Sequence, residues 1–219
     1  MKRAVTLEEI SDGKLYGLND MVKADCNDCE GCSACCRGMG SSITLDPLDT
    51  WRLTQGLGIT FEQLLQSHVE LGVVDGVILP NLKMAEQGDA CTFLDEQGRC
   101  LVHQIRPGIC RLFPLGRYYE GDSFRYFLQT HECKKDNRTK IKVKKWIDTP
   151  DIQKYETFIN QWHYFLKGIQ ERTELGVDED FAKQASMYLL KLFYMKAYTE
   201  ADFYQEFALR LDEAQAVFQ

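Results

Sequence analysis

No stretch of this sequence is apolar for long. The best run, Met187 to Met195, is interrupted by Lys191, whereas a membrane span needs roughly 18 apolar residues. The opening MKRAVTLEEI has two basic side chains with no apolar segment behind them, so a secretory signal is not expected. Repeats and low-complexity segments are also missing. There is no Gly-rich nucleotide fingerprint, no Gly-x-Ser-x-Gly, no His-Glu-x-x-His and no paired-carboxylate signature. Nor is there the Cys-x3-Cys-x2-Cys run expected of a radical enzyme that uses S-adenosylmethionine. Basic charge is in deficit: the net charge is −7 and the pI about 5.2, which disfavours nucleic acid as a partner. These absences predict a cytoplasmic protein with no membrane contact, in a compartment where thiols stay reduced.

What the sequence does have is cysteine, unevenly placed. Of nine cysteines, five lie between Cys26 and Cys36, four follow at Cys91, Cys100, Cys110 and Cys133, and none comes later in the 219 residues. In a reducing compartment this argues for metal over disulfides, and the odd count leaves one thiol over in any all-disulfide scheme. Thiolates are soft ligands that suit zinc and iron–sulfur clusters. Cys26, Cys29, Cys32 and Cys36 reproduce the Cys-x2-Cys-x2-Cys-x3-Cys run of bacterial ferredoxins, although Arg37 stands where proline should follow and there is no second copy. Cys35 is an extra thiol inside that run. All nine cysteines are candidate ligands, of a [4Fe–4S] cluster or of Zn2+. Eight thiolates could make two four-coordinate sites. The adjacent pair Cys35-Cys36 could feed both, because neighbouring side chains diverge. Arg37, Arg99, Arg106 and Arg111 lie close to cysteines in sequence; Arg37, Arg106 and Arg111 in particular could offset thiolate charge and tune a potential. His68, His103 and His163 read as structural, and His131, two residues before Cys133, is the one histidine placed to replace a thiolate.

The fold class expected is α+β: an irregular cysteine-rich metal module of short hairpins and helices, extended by a C-terminal helical bundle-like region. Residues 1–25 read as a leader with a polar turn at Ser11–Lys14, residues 26–146 as the cysteine-cluster module, and residues 147–219 as helices packed on it. Ile43–Leu45 reads as a short strand. Asp46-Pro47 is a helix cap with proline in the first turn, and that helix should stop at Gly56 or Gly58. Thr60 and Gln63 form a capping box for a second helix to about Val69. Val73–Leu79 reads as one strand. Residues 91–103 read as a hairpin in which Phe93 faces Cys100, placing Cys91 and Cys100 diagonally on one face. Arg106-Pro107 starts a helix with Cys110 in its first turn, where the helix dipole lowers a thiol pKa. Residues 118–128 read as a hairpin turning at Glu120–Asp122. Lys140, Lys142 and Lys144 alternate with Ile141 and Val143 as in a lysine-protected edge strand. Three amphipathic helices follow: one to about Thr173 closed by Gly176, one from Glu179 to Ala197, and one from a capping box at Thr199–Asp202 to Val217. Phe158, Trp162, Phe165 and Ile169 mark the buried stripe of the first, and Phe193, Tyr194, Phe203, Tyr204 and Phe207 read as helix–helix core.

Read without Cys26, the run becomes Cys29-x2-Cys32-x2-Cys35-Cys36. It is followed by Cys91-Thr-Phe-Leu, Gly98-Arg-Cys100 and Arg106-Pro-Gly-Ile-Cys110-Arg-Leu-Phe-Pro114. In these segments, across residues 26–133, the chain resembles the YkgJ-type CxxCxxCC cysteine-cluster proteins. The resemblance implies zinc or iron chelation through Cys29, Cys32, Cys35, Cys36, Cys91, Cys100, Cys110 and Cys133. The family usually has tyrosine where His103 stands. Some proteins carrying this module look like flagellin lysine methylases with an iron–sulfur cluster. Three functions follow as expectations: an iron–sulfur redox protein or auxiliary oxidoreductase with an electron-donating or electron-accepting protein partner; a zinc-binding structural or adaptor protein; and, by family analogy, a lysine methylase-like activity.

Overall fold

The structure is a computed structural model that describes residues 6–27, 32–86, 89–135, 137–174, 179–199 and 202–218. Its architecture is α+β. A short helix α1 (Leu7–Ile10), boxed by Thr6 and Glu9, leads into strands β1 (Ser11–Tyr16) and β2 (Met21–Asp25). The turn expected at Ser11–Lys14 is instead the start of β1, where the register shifts between Ser11 and Leu15 and Gly13 has a φ of +73°. The turn-prone residues thus serve a bulge, not a chain reversal. Helices α2 (Pro47–Leu57) and α3 (Phe61–Ser67) follow; α3 has the expected Thr60–Gln63 capping box, α2 has the expected Asp46 cap, completed into a box by Asp49, and α2 ends on Gly58 in the left-handed region at φ +66°. Ile43–Leu45 makes only a single bridge, Thr44 to Asn81, and is not a full strand.

The Val73–Leu79 segment corrects the one-strand reading. It is a hairpin of β3 (Val69–Val74) and β4 (Val77–Leu82), reversing at Asp75 and Gly76, both with positive φ. An Asp-Gly pair is the standard two-residue hairpin turn. After the cysteine-bearing loops come α4 (Gly108–Leu112) and the expected hairpin of β5 (Leu115–Glu120) and β6 (Ser123–Gln129). β6 is central in the sheet β1-β6-β5, and β7 (Thr139–Lys142) pairs with β2 in a separate two-stranded sheet. The lysine-rich strand is therefore real but ends at Lys142. Val143 begins α5 (Val143–Ile147), whose first amides reach the carbonyls of Asp20 and Leu18.

The C-terminal region is α6 (Ile152–Glu174), α7 (Glu179–Leu189) and α8 (Phe203–Phe218). Gly176, the expected end of the first helix, lies outside the described residues, as do Glu200 and Ala201. The expected Thr199–Asp202 capping box is corrected: α8 starts at Phe203, Asp202 Oδ1 accepts from the Tyr204 amide (3.0 Å), and the Thr199 amide donates to Glu206 Oε2 (2.7 Å). The second helix is not uniformly α: Leu190–Met195 is a π turn. That change of pitch allows the consecutive residues Leu192, Phe193 and Tyr194 all to be buried. The main core is aromatic. Phe158 meets Phe207 at 4.6 Å and 79°, and Trp162 meets Phe193 at 4.9 Å and 62°. Such edge-on pairs add about 0.5–1.5 kcal/mol each beyond their buried area. Several bonds fasten these helices to the cysteine-bearing half, among them Tyr194 Oη donating to the Leu45 carbonyl (3.1 Å) and the Ile78 amide donating to Ser186 Oγ (2.9 Å). A second, smaller core of Ile43, Leu45, Leu53, Leu64, Val69, Leu82, Phe93 and Val102 has Cys91, Cys100 and Cys110 at its edge. Among the described residues no helix is long and apolar enough to cross a membrane.

Candidate metal centre

Three chain segments deliver thiols to one place. The first is the 3-10 turn Ala34–Cys36. It is held to the second segment by backbone bonds from the Cys91 amide to the Cys36 carbonyl and from the Gly38 amide to the Asp89 carbonyl, both 2.8 Å. The second segment runs from Cys91 to Cys100 and folds around Asp95, whose Oδ1 accepts from the Gln97 amide (3.0 Å) and the Arg99 amide (2.7 Å). The third is α4. Its first amide, Gly108, donates to Asp49 Oδ1 of α2 at 2.7 Å, and its Leu112 carbonyl accepts from Trp146 Nε1 at 3.1 Å. Short helices are unstable alone, so α4 is positioned by these ties.

Six thiols, those of Cys32, Cys35, Cys36, Cys91, Cys100 and Cys110, line a cavity of about 150 Å³. Phe93, Val102, Ile109, Phe113 and Trp146 close it, with Arg99, His103 and Arg106 also at its wall. Electrostatics sort these thiols further. Cys110 feels Cys91, Cys35 and Cys100; Cys91 feels Cys100 and Cys35; Cys100 feels Cys35. Cys35, Cys91, Cys100 and Cys110 are therefore a mutually interacting quartet, and Cys36 is attached to it through Cys35. Cys133 instead feels Cys26 and Cys32, and these three meet at a small cavity of about 10 Å³ with Glu132 and Phe113. Cys32 and Cys35 stand between the two groups, lining both cavities.

All eight described cysteines are free thiols. The hydrogen bond shared with Cys36 and then burial push the Cys35 thiol up; burial is the main cause for Cys91, Cys100, Cys110 and Cys133. For Cys110 this corrects the expectation of a dipole-lowered thiol, because burial and the Asp49 charge outweigh one turn of helix. Several elements pull the other way. The Phe93 amide donates to Cys91, the Val102 amide to Cys100 and the Lys135 amide to Cys133, in each case from two residues ahead. Arg106 acts on Cys35 and Cys100, and Arg99 on Cys100. A half-buried quartet of sulfurs with amide donors and an arginine beside it fits a thiolate-bound metal group, whose positive charge is what allows such thiols to ionise together. Among the described residues no three His, Cys, Asp or Glu side chains converge tightly enough to hold a single ion.

The expected site residues separate clearly. Cys29 lies outside the described residues. Arg106 reaches the cavity, where it contacts His103. Arg37 is exposed. Arg111 is buried away from the thiols, donating from Nη1 to the Asp148 carbonyl (2.9 Å) and from Nη2 to the Gln104 carbonyl (2.6 Å). His131 is exposed and is not among the residues lining either thiol cavity. The expected hairpin register is also corrected. Leu94, not Phe93, bridges Cys100, and the Leu94 amide folds back to the Cys91 carbonyl at 2.9 Å. Cys91 is thus in a turn, where strand alternation does not apply. Cys91 and Cys100 reach the same cavity by a different route from the one expected. His103 and Trp146 are wall residues that motif reading passed over; the Cys100-x2-His103 spacing was the available signal for the first.

No curated protein and no solved structure matches the chain. One family model does match. It is the CxxCxxCC family, described as "Putative zinc- or iron-chelating domain", and it covers residues 28–141, the span that contains all but one of the cysteines. With just over half its length matched, and with six thiols of that length gathered around one cavity, this chain belongs to the CxxCxxCC family, whose model describes a zinc- or iron-chelating domain.

Proposed function

We propose that Cys35, Cys91, Cys100 and Cys110 hold an iron–sulfur cluster of the [4Fe–4S] type, and that the protein is an electron carrier or the auxiliary redox part of an oxidoreductase. The observation that carries this reading is the mutually interacting quartet set around a cavity of about 150 Å³. Four thiolates on one zinc ion, with Zn–S near ~2.3 Å, close onto it and leave no such space. A cubane takes one thiolate per iron and fills the volume between them.

When bound, the group supplies one-electron transfer; the chain supplies its setting. Phe93, Val102, Phe113 and Trp146 line the sulfurs with apolar surface, and such a shell limits solvent access and shifts the potential. The amides of Phe93 and Val102 donate to Cys91 and Cys100, and Arg106 opposes the accumulated negative charge. Hydrogen bonds to sulfur and net charge are two of the means by which proteins set cluster potentials.

The test is anaerobic purification followed by iron, sulfide and zinc analysis with a visible spectrum. Iron and sulfide near about four each per chain, lost in Cys110→Ala and Cys91→Ser, support the reading. Colourless protein carrying only zinc, with the same variants still fully loaded, overturns it and leaves the zinc-binding structural role.

A further inference from the structure

A second cavity, about 310 Å³, lies between the 42–46 loop, β5 and α6. It shares Ser42 and Ile109 with the thiol cavity, so the two are separated by a wall one residue thick. Its volume falls at the lower end of small-molecule sites, which are mostly apolar with a few convergent polar groups. Here Trp162, Leu166, Leu79 and Ile109 supply the apolar walls.

The charged groups on its wall are Asp46, Asp49 and Arg117; both Asp49 oxygens are taken by the Gly108 and Asp46 amides, which leaves Asp46 and Arg117 as opposite charges that do not pair. Asp46 uses Oδ1 to cap α2, accepting from the Asp49 amide at 2.8 Å; its Oδ2 has no hydrogen-bond partner among the described residues. Arg117 donates from Nη2 to Tyr155 Oη at 2.7 Å, while its Nε is buried with no partner. Asp46 and Arg117 feel each other's charge, yet no direct ion pair joins them among the described residues. A buried donor left unsatisfied costs about 1–3 kcal/mol, and two unpaired opposite charges across a cavity form a complementary pair of sockets. His163, stacked on Tyr119 at 3.5 Å and 10°, adds a ring whose nitrogens have no hydrogen-bond partner among the described residues.

We propose that this cavity binds a small zwitterion, an α-amino acid with an apolar side chain. Its ammonium sits on Asp46, its carboxylate on Arg117, and its side chain against Trp162 and Leu166. A simple amine would leave Arg117 unanswered, and a simple acid would leave Asp46 so. Burial pushes the Asp46 carboxyl up, and an ammonium beside it offsets that penalty.

The test is calorimetric titration of the protein as purified, with its metal, against L-phenylalanine, phenethylamine and 3-phenylpropionate. L-Phenylalanine should bind saturably at one site per chain. Each truncated analogue should bind at least about tenfold more weakly, since a hydrogen bond to a charged group is worth roughly 1.5–3 kcal/mol. Asp46→Asn keeps a good helix cap and should weaken L-phenylalanine by a similar factor. Leu166→Trp should fill the cavity and abolish binding while the thermal unfolding profile stays cooperative. No saturable binding of L-phenylalanine at millimolar concentration overturns the proposal, as does equal binding of either analogue or an unchanged affinity in Asp46→Asn. Iron and sulfide measured on the same samples keep the outcome separate: their absence would sink the cluster reading and leave this one standing.

Discussion

Replacing Asp49 probes how the metal module is clamped. The side chain is 2% exposed. Its Oδ1 accepts from the Gly108 amide at 2.7 Å and its Oδ2 from the Asp46 amide at 3.2 Å. Asp49→Ala leaves both amides without their acceptor. A hydrogen bond to a charged group is worth roughly 1.5–3 kcal/mol; the short one to Gly108 belongs in that range and the longer one near or below its floor. Against this, the mutation removes a carboxylate that burial disfavours, as its upward-shifted pKa shows. The net loss should be about 2–3 kcal/mol. For a chain of this size that is about 4–12 °C in Tm. Asp49→Asn keeps an acceptor for Gly108 and drops the buried charge, so it should lose only about 1 kcal/mol. The assay is urea unfolding of both variants, with metal content measured in parallel. Because Gly108 opens the helix that carries Cys110, Asp49→Ala should also lower metal per chain. A loss within about 0.5 kcal/mol of wild type, the range of ordinary surface changes, would refute the clamp, and so would an Asn variant less stable than the Ala one.

Three further outcomes follow from the packing. Arg210 is buried, pairs with Glu206, and donates to the carbonyls of Leu192 (2.6 Å), Lys196 (2.7 Å) and Ala197 (2.7 Å); Arg210→Ala should cost about 3–5 kcal/mol in urea unfolding by stranding a buried carboxylate. A methyl on Gly108 would collide with Tyr155 Oη, so Gly108→Ala should destabilise by about 1–3 kcal/mol and reduce metal per chain, while wild-type metal content in that variant would show that α4 can shift freely. His163 has its pKa lowered to about 4, chiefly by burial and then by Lys167 and Arg117. The unfolded chain therefore takes up a proton first as pH falls below the ordinary 6.5, and stability should decline between pH 6.5 and 4. With the ring half-exposed, screening reduces this to about 1 kcal/mol, and His163→Gln should flatten that part of the stability–pH curve.

What could be read in the sequence was local. The caps at Asp46 and Thr60 bond to amides three residues away, and the Gly58 stop needs only its own φ. Asp75-Gly76 was as local a signal, but the apolar residues on either side made one strand the simpler reading of what is a hairpin. The lysine-rich strand failed at Val143 for a different reason. Its amide and that of Lys144 are satisfied by Asp20 and Leu18, more than a hundred residues earlier, so nothing near Val143 in the chain announces the change to helix.

The metal site shows the same division more sharply. Nine thiols are equal in a sequence, and the dense run from Cys26 to Cys36 invites the idea of one centre wrapped by one loop. The fold instead distributes that run. Cys26 lies at the end of β2 in the main core and meets Cys133, while Cys35 turns toward Cys91, Cys100 and Cys110. The adjacent pair does not part as expected: Cys35 and Cys36 line the same cavity and share a hydrogen bond, and it is Cys32 and Cys35, three residues apart, that border both thiol groups; sequence could not show which thiols would meet. The same holds for α6. Its aromatic stripe was legible as core, and Phe158 and Trp162 are indeed buried. Yet a helix repeats every 3.6 residues, and Trp162, His163 and Leu166 lie one to four residues apart at the edge of that stripe, lining the cavity beside the thiols. A helix that reads as packing along one face thus forms, along its border, a wall of the second cavity, and only the placement of the 42–46 loop and Arg117 opposite it gives that wall a chemistry.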